Sequence, residues 1–395
     1  MLLPLVTLPY LLRVLGVEQF GVFAFCQALL AYCVVLVDYG FNLSATQRVA
    51  QNQGQFETIN LIFWSVQVVK LLLTLAVLSL LGFLMWIVPP FQAVWPVILS
   101  STPVILGSLL FPQWLFQGLE RMGFVATSVM FARALTIPLI FLCVNNSNDT
   151  WLAALIQSSG TVFSGLLACG LIWRQRLIGW VLPKWEDVHQ ALIDGWHIFM
   201  STAAISLYTT INPVLLGMLT NNTVVGLFSA TDKIRIACQS VISPLSTAVY
   251  PRVGALMATN RQAGLLLVRK LLLIQGGLTL FISLAMWSLA PWIVLVVMGQ
   301  QFEAAVSVLR VMAPLPFLIG LSNVFGIQTM LPLGLKKSFS RIVVLSGIIN
   351  ISLILVLAPV WGAEGAAAAI LITESLVTVA MVLVLRSANI HIFTL

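Results

Sequence analysis

Eight ionisable side chains interrupt long apolar runs of this 395-residue chain. Five are cations and three are acids: Lys70, Arg133, Lys233, Arg235 and Arg310, and Asp38, Asp232 and Glu374. A charge near the centre of a membrane helix costs at least about 2.5–3.5 kcal/mol, so such residues usually face protein or water and suggest function. Because the cations outnumber the acids, mutual pairing cannot neutralise all of them. A cavity lined by unpaired cations would suit phosphate or carboxylate groups.

Each cation also has a structural interpretation. Lys70 and Arg133 lie near the middle of their apolar runs, where they either line a cavity or form structural ion pairs. Arg310 lies only six residues past the start of its predicted helix, so its side chain can also reach the interface on the outer side of the bilayer. The sequence alone leaves both alternatives open for all three residues.

The acids and the remaining cations also have both a structural and a functional interpretation. Asp232 and Arg235 stand three residues apart on one predicted helix and can pair with each other, which leaves Lys233 on another face. Asp38 lies near the inner end of its predicted helix, where it is a candidate gate, helix-end ion pair or proton site. Glu374 is a further candidate for gating or ion coupling.

No residue pattern indicates catalysis, a metal site or a cofactor. The five cysteines lie in apolar runs without a Cys-x-x-Cys or Cys/His spacing, and we interpret them as small hydrophobic residues. The three histidines form no pattern typical of a triad or a metal site. The chain also lacks a Walker A motif, which argues against ATP hydrolysis. We therefore expect a protein that is not an enzyme.

The amino-acid composition indicates that the chain is surrounded by lipid. Hydrophobic residues make up 60% of the chain and charged residues 8%, against about 25% charged residues in soluble domains. Runs of roughly 20 apolar residues recur along the whole chain, each long enough to cross a bilayer. We predict an all-α polytopic membrane protein with about twelve transmembrane helices. The predicted spans are 1–12, 21–43, 59–88, 94–116, 123–144, 151–173, 195–219, 224–250, 264–297, 304–331, 342–358 and 363–385.

The first of these spans is short. Met1–Leu12 is apolar but Arg13 ends it, which is too few residues to cross without tilting or thinning the bilayer. It also lacks the charged start and the cleavage site of a signal peptide. We expect a first helix that lacks its N-terminal half, and a short re-entrant or interfacial segment is the alternative.

The loop charges predict the orientation. Thirteen lysines and arginines fall in one set of alternate loops and in the C-terminal tail, whereas the other set contains Arg13 alone. The positive-inside rule places the first set in the cytoplasm. Both termini are then cytoplasmic, as an even number of helices requires. The cations outside the apolar runs are few and lie in loops, where they orient the helices, so nothing suggests a nucleic-acid partner.

Weak internal similarity suggests a repeat. Gly21-Val22-Phe23 matches Gly226-Leu227-Phe228 at an offset of 205 residues, and Arg48-Val49 matches Arg252-Val253 at an offset of 204. Gln117 and Gln328 also end corresponding helices. Six helices per half give a parallel repeat, an architecture that usually places a cavity between the halves. We predict an N-terminal six-helix lobe at 1–173, a cytoplasmic amphipathic linker at 174–194 and a C-terminal six-helix lobe at 195–395.

Three stretches resemble a known family. The opening 4–16, followed by Glu18-Gln19-Phe20-Gly21, is similar to the start of polysaccharide flippases. The stretch from Asp38 to Thr46, with Arg48 and Ala50, resembles the O-antigen branch of that family, which lies within the multidrug/oligosaccharidyl-lipid/polysaccharide exporter superfamily. The aromatic-rich stretch 112–122 fits the same pattern. The resemblance weakens after about residue 60, although the number of helices agrees throughout.

The resemblance implies a function and partners. Such a protein would flip undecaprenyl-pyrophosphate-linked O-antigen repeat units from the cytoplasmic to the periplasmic face of the bacterial inner membrane by alternating access. The five intramembrane cations would then meet the anionic headgroup. The implied partners are the lipid-linked oligosaccharide and the bilayer, with an O-antigen polymerase, a chain-length regulator and a coupling proton or sodium ion as further candidates.

Other functions remain as alternatives. A lipid II flippase of the same superfamily is poorly separated by sequence, although the stretch beginning at Asp38 favours the O-antigen branch. A multidrug exporter would favour acids in its cavity, whereas this chain has more cations. A membrane-embedded polysaccharide polymerase or glycosyltransferase is a remote alternative, since such enzymes carry a large outer loop and every predicted outer loop here is short.

Overall fold

The computed structural model describes residues 3–388 and Ile390, and the regular structure in this part of the chain is entirely helical. The α-helices in chain order are α1 Leu3–Asp38, α2 Phe41–Gln51, α3 Phe56–Ile87, α4 Pro89–Ala93, α5 Trp95–Ser101, α6 Pro103–Leu110, α7 Gln113–Gly118, α8 Met122–Cys143, α9 Thr150–Arg174, α10 Trp185–Thr210, α11 Asn212–Leu219, α12 Asn222–Ser240, α13 Ser243–Thr259, α14 Arg261–Ser288, α15 Ala290–Ile293, α16 Ala305–Met312, α17 Leu315–Phe325 and α18 Lys336–Ser387. Short π-helical turns follow α15 and α17, at Val294–Met298 and Gly326–Met330. The all-α prediction is confirmed.

Eight helical runs of the described chain are long and apolar enough to cross a membrane. The two longest, Val6–Gln51 and Lys336–Ser387, contain 46 and 52 residues, whereas about 20 residues suffice for one crossing. A non-helical glycine divides each of them: Gly16 with φ 72° in α1, and Gly362 with φ 56° in α18. Each of these two runs corresponds to two predicted spans, so the eight runs correspond to ten. The other two predicted spans correspond to the less apolar helices α10 to α13. The predicted short first span includes Met1 and Leu2, which lie outside the described residues.

Several predicted spans are broken where the sequence carries proline. The predicted span 94–116 consists of α5, α6 and α7, with Pro103 in the first turn of α6 and Pro112 just before α7. The predicted span 304–331 divides into α16, α17 and a π-helical turn, with Pro314 just before α17 and Pro316 in its first turn. Proline has no backbone N–H and its ring clashes with the preceding turn, so a helix more easily restarts there than continues.

Helix α10 begins at Trp185, ten residues before the predicted start at Gly195. The Asp187 carboxylate accepts the backbone N–H of Lys184 at 2.9 Å, which satisfies one donor that the helix start leaves unpaired. Glu186 and Asp187 in the first turn also complement the positive end of the helix dipole. Part of the predicted linker 174–194 is therefore helical.

The chain forms two compact units. The N unit is Val22–Val214, and the C unit combines Met1–Gly21 with Leu215–Leu395, so α1 contributes to both. A core around Trp114 and Phe116 joins α2, α3, α7, α9 and α10 in the N unit, and a core around Val268 and Phe325 joins α13, α14, α17 and α18 in the C unit. The predicted lobe limits differ from these bounds and remain a prediction.

The repeat-related glycines of the sequence contact each other within the C unit. A Cβ built on Gly21 would lie 1.8 Å from the carbonyl oxygen of Asn222, four residues before Gly226. A Cβ built on Gly226 would lie 2.0 Å from the carbonyl oxygen of Val17, four residues before Gly21. The two contacts mirror one another at the same offset of 205 residues. Only glycine allows α1 and α12 to cross this closely, as small residues do in membrane helix pairs.

The other repeat matches are less uniform. Val49 and Val253 are both fully buried in the cores of their own units. Gln117, however, is exposed, whereas Gln328 is buried and donates to the carbonyl of Ser246 at 2.8 Å. The match between the two glutamines therefore does not extend to their surroundings.

Candidate functional site

A buried ion pair joins α1 and α3 in the N unit. The Lys70 ammonium, only 2% exposed, lies 2.9 Å from the Asp38 carboxylate and donates to the Ser108 carbonyl at 2.7 Å. The Ser108 hydroxyl donates to the same Asp38 oxygen at 2.8 Å, and the Asn42 amide donates to the other oxygen at 3.4 Å. This is the arrangement expected from the structural interpretation of Lys70. The nearly complete burial of the ammonium makes the carboxylate its essential counter-ion.

The residues after Asp38 fix the position of the pair. Tyr39 and Gly40 are both left-handed, with φ 43° and 74°, and they end α1 and redirect the chain into α2. The Tyr39 ring stacks on Phe199 of α10 with centroids 4.7 Å apart. A Cβ on Gly40 would lie 2.8 Å from the Ile198 side chain, so glycine permits the close approach of α10. The Asp-Tyr-Gly stretch thus combines a charge, a stacking ring and a backbone turn.

Arg133 lies near the middle of α8. With a rise of 1.5 Å per residue, its Cα is about 16 Å from either end of the helix. The side chain is half-buried. Across residues 3–388 and 390, no carboxylate forms an ion pair with it. Arg133 is thus a guanidinium without a protein counter-ion in the described structure, and its lining of a cavity remains a prediction.

Helix α12 carries a local charge cluster in the C unit. The Arg235 guanidinium lies 2.7 Å from the Asp232 carboxylate and also donates to Gln239 at 2.8 Å. The pairing expected from the three-residue spacing is therefore present. The Lys233 ammonium lies 5.7 Å from the centroid of the Phe20 ring, in a cation–π contact. Phe20 lies near the middle of α1, just after the break at Gly16. Whether these residues contact a ligand remains a prediction.

The last two residues predicted to belong to the site, Arg310 and Glu374, lie elsewhere in the C unit. Arg310 on α16 is exposed, and its guanidinium lies 5.7 Å from the ring centroid of Trp287, itself an exposed residue near the end of α14. Glu374 is half-buried on α18. Cavity lining by Arg310 and ion coupling by Glu374 remain predictions.

Sequence reasoning missed two groups of polar residues. Ser108 completes the Asp38–Lys70 cluster, but a serine in an apolar run carries no distinctive signal. In the C unit, the Gln275 amide donates to the Gly320 carbonyl at 3.0 Å and its oxygen accepts from the Ser246 hydroxyl at 3.1 Å. Ser246 also lies 3.0 Å from Asn323. A glutamine in the apolar part of α14, Gln275, was the available signal for this network.

Known proteins match the chain in sequence. The family model "Polysaccharide biosynthesis protein" matches residues 1–257. A protein of Escherichia coli (strain K12), provisionally named an O-antigen transporter, is 40% identical over 390 residues, which cover 98% of this chain and 93% of that protein. A protein of Shigella dysenteriae with the same provisional name is 32% identical over 380 residues, covering 96% and 95% of the two chains.

Solved structures match the fold. The lipid II flippase MurJ in an inward closed conformation superposes with a TM-score of 0.79 at 11% identity, covering 98% of this chain and 85% of that one. An inward-facing multidrug resistance MATE family transporter of the MOP superfamily gives a TM-score of 0.72 at 13% identity, covering 98% and 97%. At these identities the likeness concerns the fold alone. The sequence matches carry the assignment: the chain belongs to the polysaccharide biosynthesis protein family, in agreement with the resemblance to polysaccharide flippases.

Proposed function

We propose that this protein translocates undecaprenyl-pyrophosphate-linked O-antigen repeat units across the bacterial inner membrane by alternating access, from the cytoplasmic to the periplasmic face. Both termini would then be cytoplasmic, although Met1 and Leu395 lie outside the described residues. Two full-length relatives named as O-antigen transporters support the substrate class. The relatives are named as transporters, which favours translocation over catalysis.

The observation that carries the proposal is the unpaired guanidinium of Arg133 in the middle of α8. Holding an arginine inside hydrocarbon without a counter-ion is costly unless an anionic ligand or water meets it. A planar guanidinium matches phosphate oxygens in a bidentate way, so the pyrophosphate of a lipid-linked sugar is a suitable ligand. Lys233 and Arg310 are further candidates for that contact. The charges of Lys70 and Arg235 are already neutralised, by Asp38 and Asp232.

The mechanism requires headgroup binding to be transient. An interaction equally strong in every state of the transporter would not shift the equilibrium between them. Arg133 would therefore contact the pyrophosphate in only part of the cycle, while the lipid tail stays in the bilayer. Coupling to a proton or sodium gradient through Asp38, Asp232 or Glu374 is part of the same proposal.

The test is complementation of a host from which the gene has been deleted and which has no redundant flippase. We expect the wild-type gene to restore the O-antigen ladder and Arg133→Gln to restore roughly a tenth or less of it at equal protein level. A hydrogen bond to a charged group contributes about 1.5–3 kcal/mol, which corresponds to roughly 10–100-fold. Arg133→Lys should retain more activity than the glutamine variant because it keeps the charge.

Arg341→Gln is the matched control, since it removes an exposed arginine near the start of α18. Normal ladders from Arg133→Gln would refute the role of this guanidinium. An intact ladder after the deletion itself would refute the O-antigen substrate and favour lipid II or drugs as the cargo.

A further inference from the structure

A cavity of about 630 Å³ lies where the chain leaves α9 in the N unit. Two arginines, Arg174 and Arg176, line it together with two aromatic rings, Phe56 and Trp173, and the backbone of Gly170 and Gly179. The cavity thus combines cationic groups with an apolar wall. It is separate from the intramembrane charges described above.

The two arginines carry uncompensated charge. In the part of the chain that the structure describes, neither guanidinium forms an ion pair, and both side chains are exposed. A cation in the last turn complements the helix dipole, which is sufficient to explain Arg174. Arg176 lies beyond the end of α9 and needs a different explanation.

Arg176 occupies a position at which glycine is usual. The Leu177 N–H bonds to the Ile172 carbonyl at 3.0 Å and the Arg176 N–H bonds to the Trp173 carbonyl at 3.1 Å, which is the hydrogen-bond pattern of a Schellman helix end. The pattern places Arg176 in the left-handed region, at φ 50°, where glycine is less strained than any residue with a Cβ. What arginine adds at this position is its side chain, which lines the cavity.

Aromatic residues hold and surround the cavity wall. The Trp64 indole donates to the Gly179 carbonyl at 2.9 Å, and the Gly179 N–H donates to Asn60 at 2.8 Å. Trp180 packs on Trp64 with ring centroids 4.3 Å apart, yet it is 73% exposed. Trp173 is 85% exposed. Exposed tryptophans are typical of the level at which a protein meets lipid headgroups.

We propose that this cavity binds the phosphate of an anionic glycerophospholipid in the adjacent leaflet, with Arg174 and Arg176 on the phosphate. The apolar wall and the exposed indoles would contact the glycerol and the upper acyl chains. A free inorganic anion would gain nothing from that wall, so a lipid suits the whole cavity better. The site goes beyond the proposed translocation of a lipid-linked sugar, since it lies outside the set of residues assigned to that cargo.

The experiment measures lipid retained by the purified full-length protein, by native mass spectrometry after exchange into phosphatidylglycerol or phosphatidylcholine. We expect Arg174→Gln and Arg176→Gly each to lower phosphatidylglycerol retention about fivefold, the equivalent of about 1 kcal/mol per cation near an anionic surface. Phosphatidylcholine retention should fall less, because the choline cation balances the charge of the phosphate in that lipid. Arg176→Gly should unfold at the same temperature as the wild type or higher, because glycine suits the left-handed position.

Two variants serve as controls. Lys184→Gln removes a cation from the same connection outside the cavity. Glu120→Gly relieves the same kind of left-handed helix end, at φ 58° after α7, without removing a cation. Retention by both should match the wild type. The proposal is overturned if the two arginine variants lose no more lipid than Lys184→Gln, or if an excess of inorganic phosphate displaces the phosphatidylglycerol.

Discussion

The Asp38–Lys70 pair predicts an unequal response to the loss of its two members. Lys70→Met would remove the ammonium and leave Asp38 with the Ser108 hydroxyl and the Asn42 amide, on a side chain that is 27% exposed. Asp38→Leu would leave the ammonium 2% exposed with only the Ser108 carbonyl as an acceptor. The second change strands a charge that has almost no access to water.

The magnitudes follow from this difference. Removing one partner of a buried ion pair destabilises by about 3–5 kcal/mol, which we expect for Asp38→Leu. Losing a hydrogen bond to a charged group that keeps other partners costs about 1.5–3 kcal/mol, which we expect for Lys70→Met. The free energy of unfolding of the double variant should lie closer to that of the wild type than the value for Asp38→Leu does. The reason is that an apolar replacement of a whole buried pair is often neutral.

Equilibrium unfolding of the purified variants in mixed detergent micelles measures these free energies. Arg48→Met is the matched control, because the Arg48–Asp194 pair of the same unit is about one-third exposed and should contribute only about 0–1 kcal/mol. The reasoning fails if Lys70→Met is as costly as Asp38→Leu. It fails as well if the double variant loses the full sum of the two single losses.

Three further changes test packing in the C unit. Gly21→Ala and Gly226→Ala should each lower the free energy of unfolding by about 1–3 kcal/mol and by similar amounts, because their contacts mirror each other. Gly82→Ala on α3 is the control, because the added methyl group meets open space, and it should be neutral or stabilising by up to about 1 kcal/mol. Unequal losses of stability at Gly21 and Gly226 would contradict the symmetry of the two contacts. Gln275→Leu should cost about 1–2 kcal/mol by unfolding in detergent, since it leaves the Ser246 hydroxyl without one of its acceptors, and an unchanged stability would show that the network contributes nothing.

Features that depend only on neighbouring residues could be predicted from the sequence. The long apolar runs follow from hydropathy because a membrane helix must cross a fixed thickness of hydrocarbon. The Asp232–Arg235 pair follows from a three-residue spacing that places both side chains on one helical face. The breaks at Pro103 and Pro316 follow from the proline positions and not from hydropathy, because a hydropathy window stays apolar across a proline.

The non-local contacts could not be predicted. Asp38 and Lys70 are 32 residues apart on different helices, so their pairing depends on how α1 packs against α3. The helix end at Arg176 was equally hidden, because a Schellman motif is normally recognised by its glycine, which is absent here. The cavity at this point is visible only once the backbone is known.

The mirrored contact of Gly21 and Gly226 bears on how the two positions can change by mutation. Where two identical chains meet on a two-fold axis, a residue faces its own copy, and one base change alters both sides of the contact together. Within a single chain, the two glycines are encoded separately and can mutate one at a time. Each, however, sits against the backbone of the other's helix, so a side chain at either position displaces both. The two codons are independent of each other, whereas the geometry constrains them as a pair.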